Sequence, residues 1–215
     1  MNKHHDGFEY NSFLSDNCDL SEYFNNNIGL TSTLPHPIAI EIHKKYRKSS
    51  KIDYKLVTET NNLFSQYLCK LMGGSPNTNF NINTTCGFES NLQAIKVLKN
   101  NKSINTGTAN IVIPISVQSS FQKISDILGI ELRIAKYNSK YTIDTNNLPE
   151  LIDKNTISVI AVAGSQDYGT VDNIPEISKI CNEYGCQCHI DATFGGFIIP
   201  FLKSSIPFDF RVMGE

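Results

Sequence analysis

Three things are scarce in these 215 residues, and each scarcity removes a class of function. Positive charge is not in excess: 19 lysines and arginines stand against 21 aspartates and glutamates, a formal net charge of −2, and the sequence pI is near 6.2. With no basic stripe to release counterions from nucleic acid or to seek an anionic membrane, neither is an expected partner. Long apolar runs are missing too. The longest, Phe197 to Leu202, is far too short to span a bilayer, and the opening MNKHHDGFEYNSFLSDNCDL has no apolar h-region, so the expectation is a cytoplasmic protein. Paired cysteine motifs are the third scarcity. Cys181, Cys186, Cys188 and His189 offer soft ligands of the kind zinc takes, but Cys181 falls in a helix pattern, Cys186 and Cys188 share one face of a strand, and no C-x-x-C pair lies elsewhere. Six cysteines without a secretory signal read as reduced thiols, and no metal is expected.

What is present is ample core material, at 40% hydrophobic residues. From about residue 110 the chain alternates short β-rich runs with amphipathic stretches, the signature of βαβ units on a mostly parallel sheet. NIVIPI is followed by SSFQKISDILGI, where Phe121, Ile124, Ile127 and Leu128 are assigned to one helical face and Gly129 to its end. ELRIAKY reads as a strand, LPELIDKN as a short helix, and ISVIAVAG as a strand buried on both faces. NIPEISKICNEYG carries Asn173 as N-cap with Glu176 three residues on, Pro175 in the first turn and Gly185 at the C-terminal position. CQCHIDA is the last strand of the series. Upstream, TETNNLFSQYLCKLMGG predicts a helix with Leu63, Phe64, Tyr67, Leu68 and Leu71 on one side, stopped by Gly73 and Gly74. FNINTT, read as a strand, then leads into FESNLQAIKVLKN, a helix whose apolar face carries Leu92, Ile95 and Leu98. Residues 1–45 are expected to form a polar lead-in arm and 46–215 one large α/β domain.

In parallel α/β sheets ligands sit beyond the carboxyl ends of strands. Four such ends emerge: Thr84 to Gly87, Ser116 to Gln118, Gly164 to Asp167, and Asp191 to Gly196. TTCGFES runs straight into a helix, which puts backbone N–H groups and the positive end of a helix dipole where a phosphate can dock. Taken alone, a glycine before a helix is more often only a turn, and an aspartate at a strand end is usually a cap.

The order of the pieces resembles the group II pyridoxal-phosphate-dependent amino-acid decarboxylases, most nearly the archaeal-type tyrosine/aspartate decarboxylases. The resemblance runs from about residue 30 to the last, on TSTLPHPIA, TTCGFESNLQAIKVLKN, ANIVIPISVQSSFQKISDILGIELR, AGSQDYGTVDNIPEISKI and HIDATFGGFIIPF followed by PFDF. It implies the large domain of a type I, aminotransferase-like fold, a mostly parallel sheet with flanking helices, incomplete at its C-terminus. It also implies an amino-acid substrate, pyridoxal 5'-phosphate at the carboxyl edge of the sheet, and a homodimer or a complementing C-terminal chain to finish the site. By that match Asp191 pairs with the pyridine nitrogen and keeps it protonated, so that the ring accepts the electrons released with carbon dioxide. Gly195 and Gly196 give the backbone room to turn nearby. Gln118, Cys86, Gly87, Ser165 and His189 are the other cofactor-side candidates, and His36 the substrate-side one, with stiffening of the loop by Pro35 and Pro37 an equal reading.

Several positions depart from the family pattern. Cys86, Gly87 and Phe88 stand where the phosphate turn has paired glycines and a hydroxyl, Gln118 replaces a ring-stacking histidine, and Ser165 and Gln166 replace two threonines. Together they imply a weakened or altered cofactor site. The family's Schiff-base lysine belongs to a D-x-H-K element after PFDF; no lysine follows Lys203, which reads as a surface residue. A cofactor-domain fragment or half of a split decarboxylase, inactive alone, is therefore one expectation. A non-catalytic, decarboxylase-like partner or regulatory subunit is the other.

Overall fold

The structure, a computed structural model, describes residues 35–47, 53–72, 82–104 and 106–201, without the Gln118 side chain. Gly73, Gly74, Lys203 and the PFDF segment lie outside these. The chain divides into two compact units, Met1–Val57 and Thr58–Glu215.

In the first unit, helix α1 (Pro37–Arg47) starts on a proline, whose missing N–H is one the first turn does not need. His36 caps it: its carbonyl accepts from the N–H groups of Ala39 and Ile40, and its Nδ1 from that of Ile38 at 3.2 Å. Lys44, Lys45 and Arg47 complement the negative end of the dipole. Helix α2 (Tyr54–Leu71) begins before the predicted stretch, which starts at Thr58. The apolar face expected there is only partly packed: Leu68 and Leu71 are half-buried, Leu63, Phe64 and Tyr67 are exposed, and Cys69 is the one buried residue among those described in the helix.

The second unit is built on four parallel strands, β1 (Asn110–Pro114), β2 (Glu131–Ala135), β3 (Thr156–Val162) and β4 (Gln187–Asp191), in the order β2-β1-β3-β4. The mostly parallel α/β sheet with flanking helices expected from sequence is what forms. On one face lie α3 (Gly87–Asn101) and α4 (Gln118–Leu128), which bury Ile95, Phe121 and Ile124 against Ile111, Ile113 and Ile160. On the other lie α5 (Leu148–Leu151) and α6 (Ile174–Tyr184), with Ile174, Ile177 and Cys181 against Val112, Val159 and Ala161. Each such isoleucine or phenylalanine contributes roughly 1.5–3 kcal/mol by leaving water.

Three local expectations are corrected. Ile127 is exposed, 61% accessible; the buried stripe of α4 is Phe121, Ile124 and Ser125 with Leu128 packed beside them, the i, i+3, i+4, i+7 set, which leaves position 127 on the opposite side. Asn173 stands at the N-cap of α6 but makes no side-chain cap bond, since Pro175 has removed one of the N–H groups such a cap serves. Residues 82–84 of FNINTT are neither helix nor strand, because no described strand pairs with them to make a ladder.

The amino edge of the sheet is tied shut by polar side chains. Buried Asn110 donates to Asp153 Oδ1 (3.0 Å) and accepts from Thr156 Oγ1 (2.7 Å), while Arg133 reaches Asp153 Oδ2 (2.8 Å) and the Leu151 carbonyl (2.9 Å). The carboxyl edge is held instead by backbone contact. Gly195 N–H donates to the Ala163 carbonyl at 3.0 Å, and a Cβ on Gly195 would lie 2.2 Å from that same oxygen. The glycine after Asp191 is thus demanded by a close approach of two loops. Among the described residues no helix is long and apolar enough to cross a membrane.

Candidate functional site

Because β1 is followed by β2 on one side and β3 on the other, the strand order reverses between β1 and β3, and a crevice opens beyond their carboxyl ends. A cleft of about 200 Å³ lies there, lined by Gly87, Ser116, Gly164, Ser165, Asp191 and Thr193 among others. All four strand ends singled out from sequence contribute to it.

Its two ends differ in polarity. At one, α3 and α4 both begin: Gly87 and Phe88 line the cleft with Ser119 and Ser120, and neither Cys86 nor Val117, the two N-cap residues, makes a side-chain cap bond. Early N–H groups and two dipole ends therefore face the same space. Glu89 turns away from it, accepting from the Thr85 hydroxyl at 2.6 Å and the Thr85 N–H at 2.9 Å, bonds that lower its pKa. Ser116 Oγ is buried with no hydrogen-bond partner, a polar atom without an acceptor or donor in the wall of a cleft.

At the other end stands Asp191, half-buried at the last position of β4. Its Oδ1 accepts from the Thr193 hydroxyl (2.6 Å) and N–H (3.1 Å), and its Oδ2 from Asn91 Nδ2 (3.0 Å). His189, two residues earlier and so on the same face of the strand, meets Asn91 Oδ1 through Nε2 at 2.9 Å. Burial pushes the His189 pKa down, and the Asp191 charge only partly offsets this, which favours the neutral ring.

The remaining candidates separate. Gly87, Ser165 and Asp191 line the cleft. Ser165 is occupied with its own loop, its hydroxyl bonded to Thr170 Oγ1 at 2.9 Å and accepting from the Thr170 N–H. Cys86 is exposed and does not line the cleft, and Gln118 opens α4. His189 reaches the cleft only through Asn91; the groove it lines itself, with Ile82, Ala94 and Val97, lies against the outer side of β4. His36 belongs to the first unit, where it caps α1. Among the described residues no group of three histidine, cysteine, aspartate or glutamate side chains is arranged to hold a metal. Cys181 and Cys186 are buried free thiols; Cys186 beside it favours the Cys181 thiolate, but Cys188 and burial outweigh this and push Cys181 up to about 12.

Asn91 and Thr193 line the cleft and bond Asp191, and the sequence pattern does not single them out. Asn91 has a signal: it is a buried polar residue on the helical stripe of Phe88, Leu92 and Ile95, where an apolar side chain is the rule. Thr193 has none, because its role depends on the turn after β4.

A crevice at the topological switch of an α/β sheet, bounded by helix N-termini and by a strand-end carboxylate, presents donors at one end and an acceptor at the other. The model of the pyridoxal-dependent decarboxylase conserved domain matches residues 57–213, and the chain belongs to that family. A Methanocorpusculum labreanum protein named a probable L-tyrosine/L-aspartate decarboxylase is 40% identical over 190 residues, 85% of this chain and 50% of that one. An Archaeoglobus fulgidus protein named a probable L-aspartate decarboxylase is 35% identical over 185 residues, 85% and 49% of the two chains. Among solved structures, a Lactobacillus brevis glutamate decarboxylase superposes with a TM-score of 0.73 at 20% identity, covering 84% of this chain and 46% of that one. A Burkholderia pseudomallei sphingosine-1-phosphate lyase does so with 0.68 at 21%, covering 82% and 45%. These likenesses carry the fold. The chain spans about half the length of the curated relatives it matches.

Proposed function

We propose that this chain supplies the cofactor-holding part of a pyridoxal-phosphate-dependent amino-acid decarboxylase, with tyrosine or aspartate, the amino acids in its relatives' names, as the first substrates to try. The observation that carries the reading is the two-ended cleft. The N–H groups at the start of α3 and α4, with the hydroxyls of Ser119 and Ser120, suit a phosphate. The unpartnered Ser116 Oγ adds a hydroxyl still free to bond. Asp191, already positioned by three donors, suits a protonated ring nitrogen and holds the proton there. Pyridoxal phosphate, when bound, supplies the electron sink for loss of a carboxyl group as carbon dioxide.

No lysine lines the cleft among the described residues, so this chain alone is assigned a noncovalent hold on the cofactor. Completion of the site falls to a second copy or to a complementing chain, in the cytoplasm. The test is to mix the purified protein with pyridoxal phosphate, follow the absorbance through gel filtration, and repeat after borohydride. Retention without covalent trapping, lost in Asp191→Ala, is the expected result. An empty cleft in the unaltered protein, or equal retention by Asp191→Ala, overturns the reading. Trapping on a lysine overturns the noncovalent assignment. The other reading, a non-catalytic partner of an intact decarboxylase, draws on the exposed apolar side chains Leu63, Phe64 and Tyr67 of α2, and is favoured if the chain binds such an enzyme but retains no cofactor.

A further inference from the structure

Asn91 lines the cleft, and its side-chain amide bonds to Asp191 at one end and His189 at the other. It is buried in α3, one turn after Gly87, and each end of its amide meets a different ionisable side chain of β4. The direction of the amide is fixed by chemistry. A carboxylate can only accept, so the Asn91 NH₂ faces Asp191 and its oxygen faces His189. The oxygen in turn accepts only, which leaves His189 Nε2 to donate. A neutral imidazole that donates from Nε2 has no proton on Nδ1.

We propose that Asn91 is the positioning residue of this site: it sets His189 as the Nε2–H tautomer and locks the Asp191 carboxylate in place relative to the N-terminus of α3. The inference rests on the cofactor reading above, since it concerns how the two ends of that cleft are kept in register. Gly87 and Phe88, at the anion-facing end, and Asn91 belong to the same rigid helix. A hydrogen bond from that helix to the carboxylate at the opposite end therefore fixes the distance a two-ended ligand must match. Thr193 alone does not do this, because it sits two residues from Asp191 and moves with it. His189 contributes by holding the amide against rotation. Burial disfavours its charged form, which limits the positive charge competing for the carboxylate.

The experiment reads the imidazole directly. In the full-length, ¹⁵N-labelled protein without cofactor, the His189 ring signals, assigned by their loss in His189→Gln, are expected to show a protonated Nε2 and a bare Nδ1 at pH 7. Asn91→Asp keeps the shape and the acceptor toward His189 but turns the donor toward Asp191 into an acceptor. It is expected to preserve the tautomer, raise the pH at which His189 titrates, and weaken retention of pyridoxal phosphate at least tenfold. Asn91→Leu is expected to lose the tautomer preference as well. A purely structural role predicts no such split between the two variants. The inference is overturned if His189 carries its proton on Nδ1, or if Asn91→Asp holds pyridoxal phosphate as tightly as the unaltered protein. If the unaltered protein retains no cofactor, the functional reading fails while the tautomer still decides the role of Asn91. The same spectrum decides it if the variants do not fold.

Discussion

The loop that follows β3 and the last position of β4, where the next loop begins, each bring an aspartate to the carboxyl edge of the sheet, and the two carboxylates are treated oppositely. Asp172 is buried, and both its oxygens are consumed by backbone N–H groups, Oδ1 by Ile143 at 2.8 Å and Oδ2 by Val162 at 2.7 Å. It staples the loop after β3 to the segment around Ile143, and it does not line the cleft. Asp191 is only half-buried, its bonds come from two side chains and one neighbouring N–H, and it lines the cleft. A carboxylate spent on backbone donors is part of the scaffold. One oriented by side chains, with surface left over, is available for binding.

The contact between these two loops is where the comparison breaks most severely. A Cβ at Gly195 would meet Ala163 O at 2.2 Å and Ile199 Cδ1 at 2.5 Å. The first of these is backbone and cannot rotate away. Gly195→Ala is expected to destabilise the fold by more than about 3 kcal/mol, at the upper end of overpacking effects, as read from urea unfolding. Gly129→Ala is the control. Its φ is +60° with nothing within 4 Å, so it is expected to cost only about 1 kcal/mol.

The two acids themselves give the next effect. In Asp172→Asn one backbone N–H faces an NH₂ instead of an oxygen, at a cost of about 2 kcal/mol. Burial raises the Asp172 pKa above its ordinary 3.8, and the Ile143 and Val162 N–H groups only partly offset that. A carboxyl group raised in the folded state makes its stabilising contribution below its unfolded value and loses it as pH climbs through the folded one. That segment of the stability curve is expected to vanish in Asp172→Asn. Asp191→Asn keeps an acceptor for Thr193 and should stay within about 1 kcal/mol of the parent, while losing retention of pyridoxal phosphate. If the stability losses came out in the reverse order, the distinction between scaffold and site would be wrong.

How much of this is legible in the sequence follows from the range of the interactions. The fully buried strand β3, the helix-ending glycines Gly129 and Gly185, and the ends of β1, β3 and β4 are written in local pattern, and those three ends converge on the cleft with the turn at Gly87, whose expected strand does not form. Asp191 is legible because a carboxylate closing an apolar run is conspicuous. The Asn91 bridge is not, because it joins residues 100 positions apart and only the packing of α3 against β4 brings them together. Ile127 misleads for a simpler reason. Four apolar residues close together suggest a stripe, but the angle between them, and not their number, decides which are buried. Cys86 enters the candidate set by resemblance of order, and its own side chain stands outside the cleft.

A third carboxylate, Asp153 at the amino edge, sharpens the contrast with the smallest expected effect. Burial pushes its pKa up, but the Asn110 amide, Arg133 and the Asn155 N–H outweigh this and hold the group at about 2, against an ordinary 3.8. A depressed carboxyl group stabilises the fold above its unfolded value, and the contribution is lost as pH falls through the folded one. Acid titration of stability should therefore show a decline between about pH 4 and pH 2 that is reduced in Arg133→Gln. The Asp153 side chain is 43% accessible, so solvent screens the pair and the loss at pH 7 is expected to stay under about 1 kcal/mol. High salt should shrink it further, whereas the Asp172 effect, which rests on buried N–H bonds, should persist in salt. Equal sensitivity of the two to salt would show that Asp172 is held by charge and not by its backbone donors.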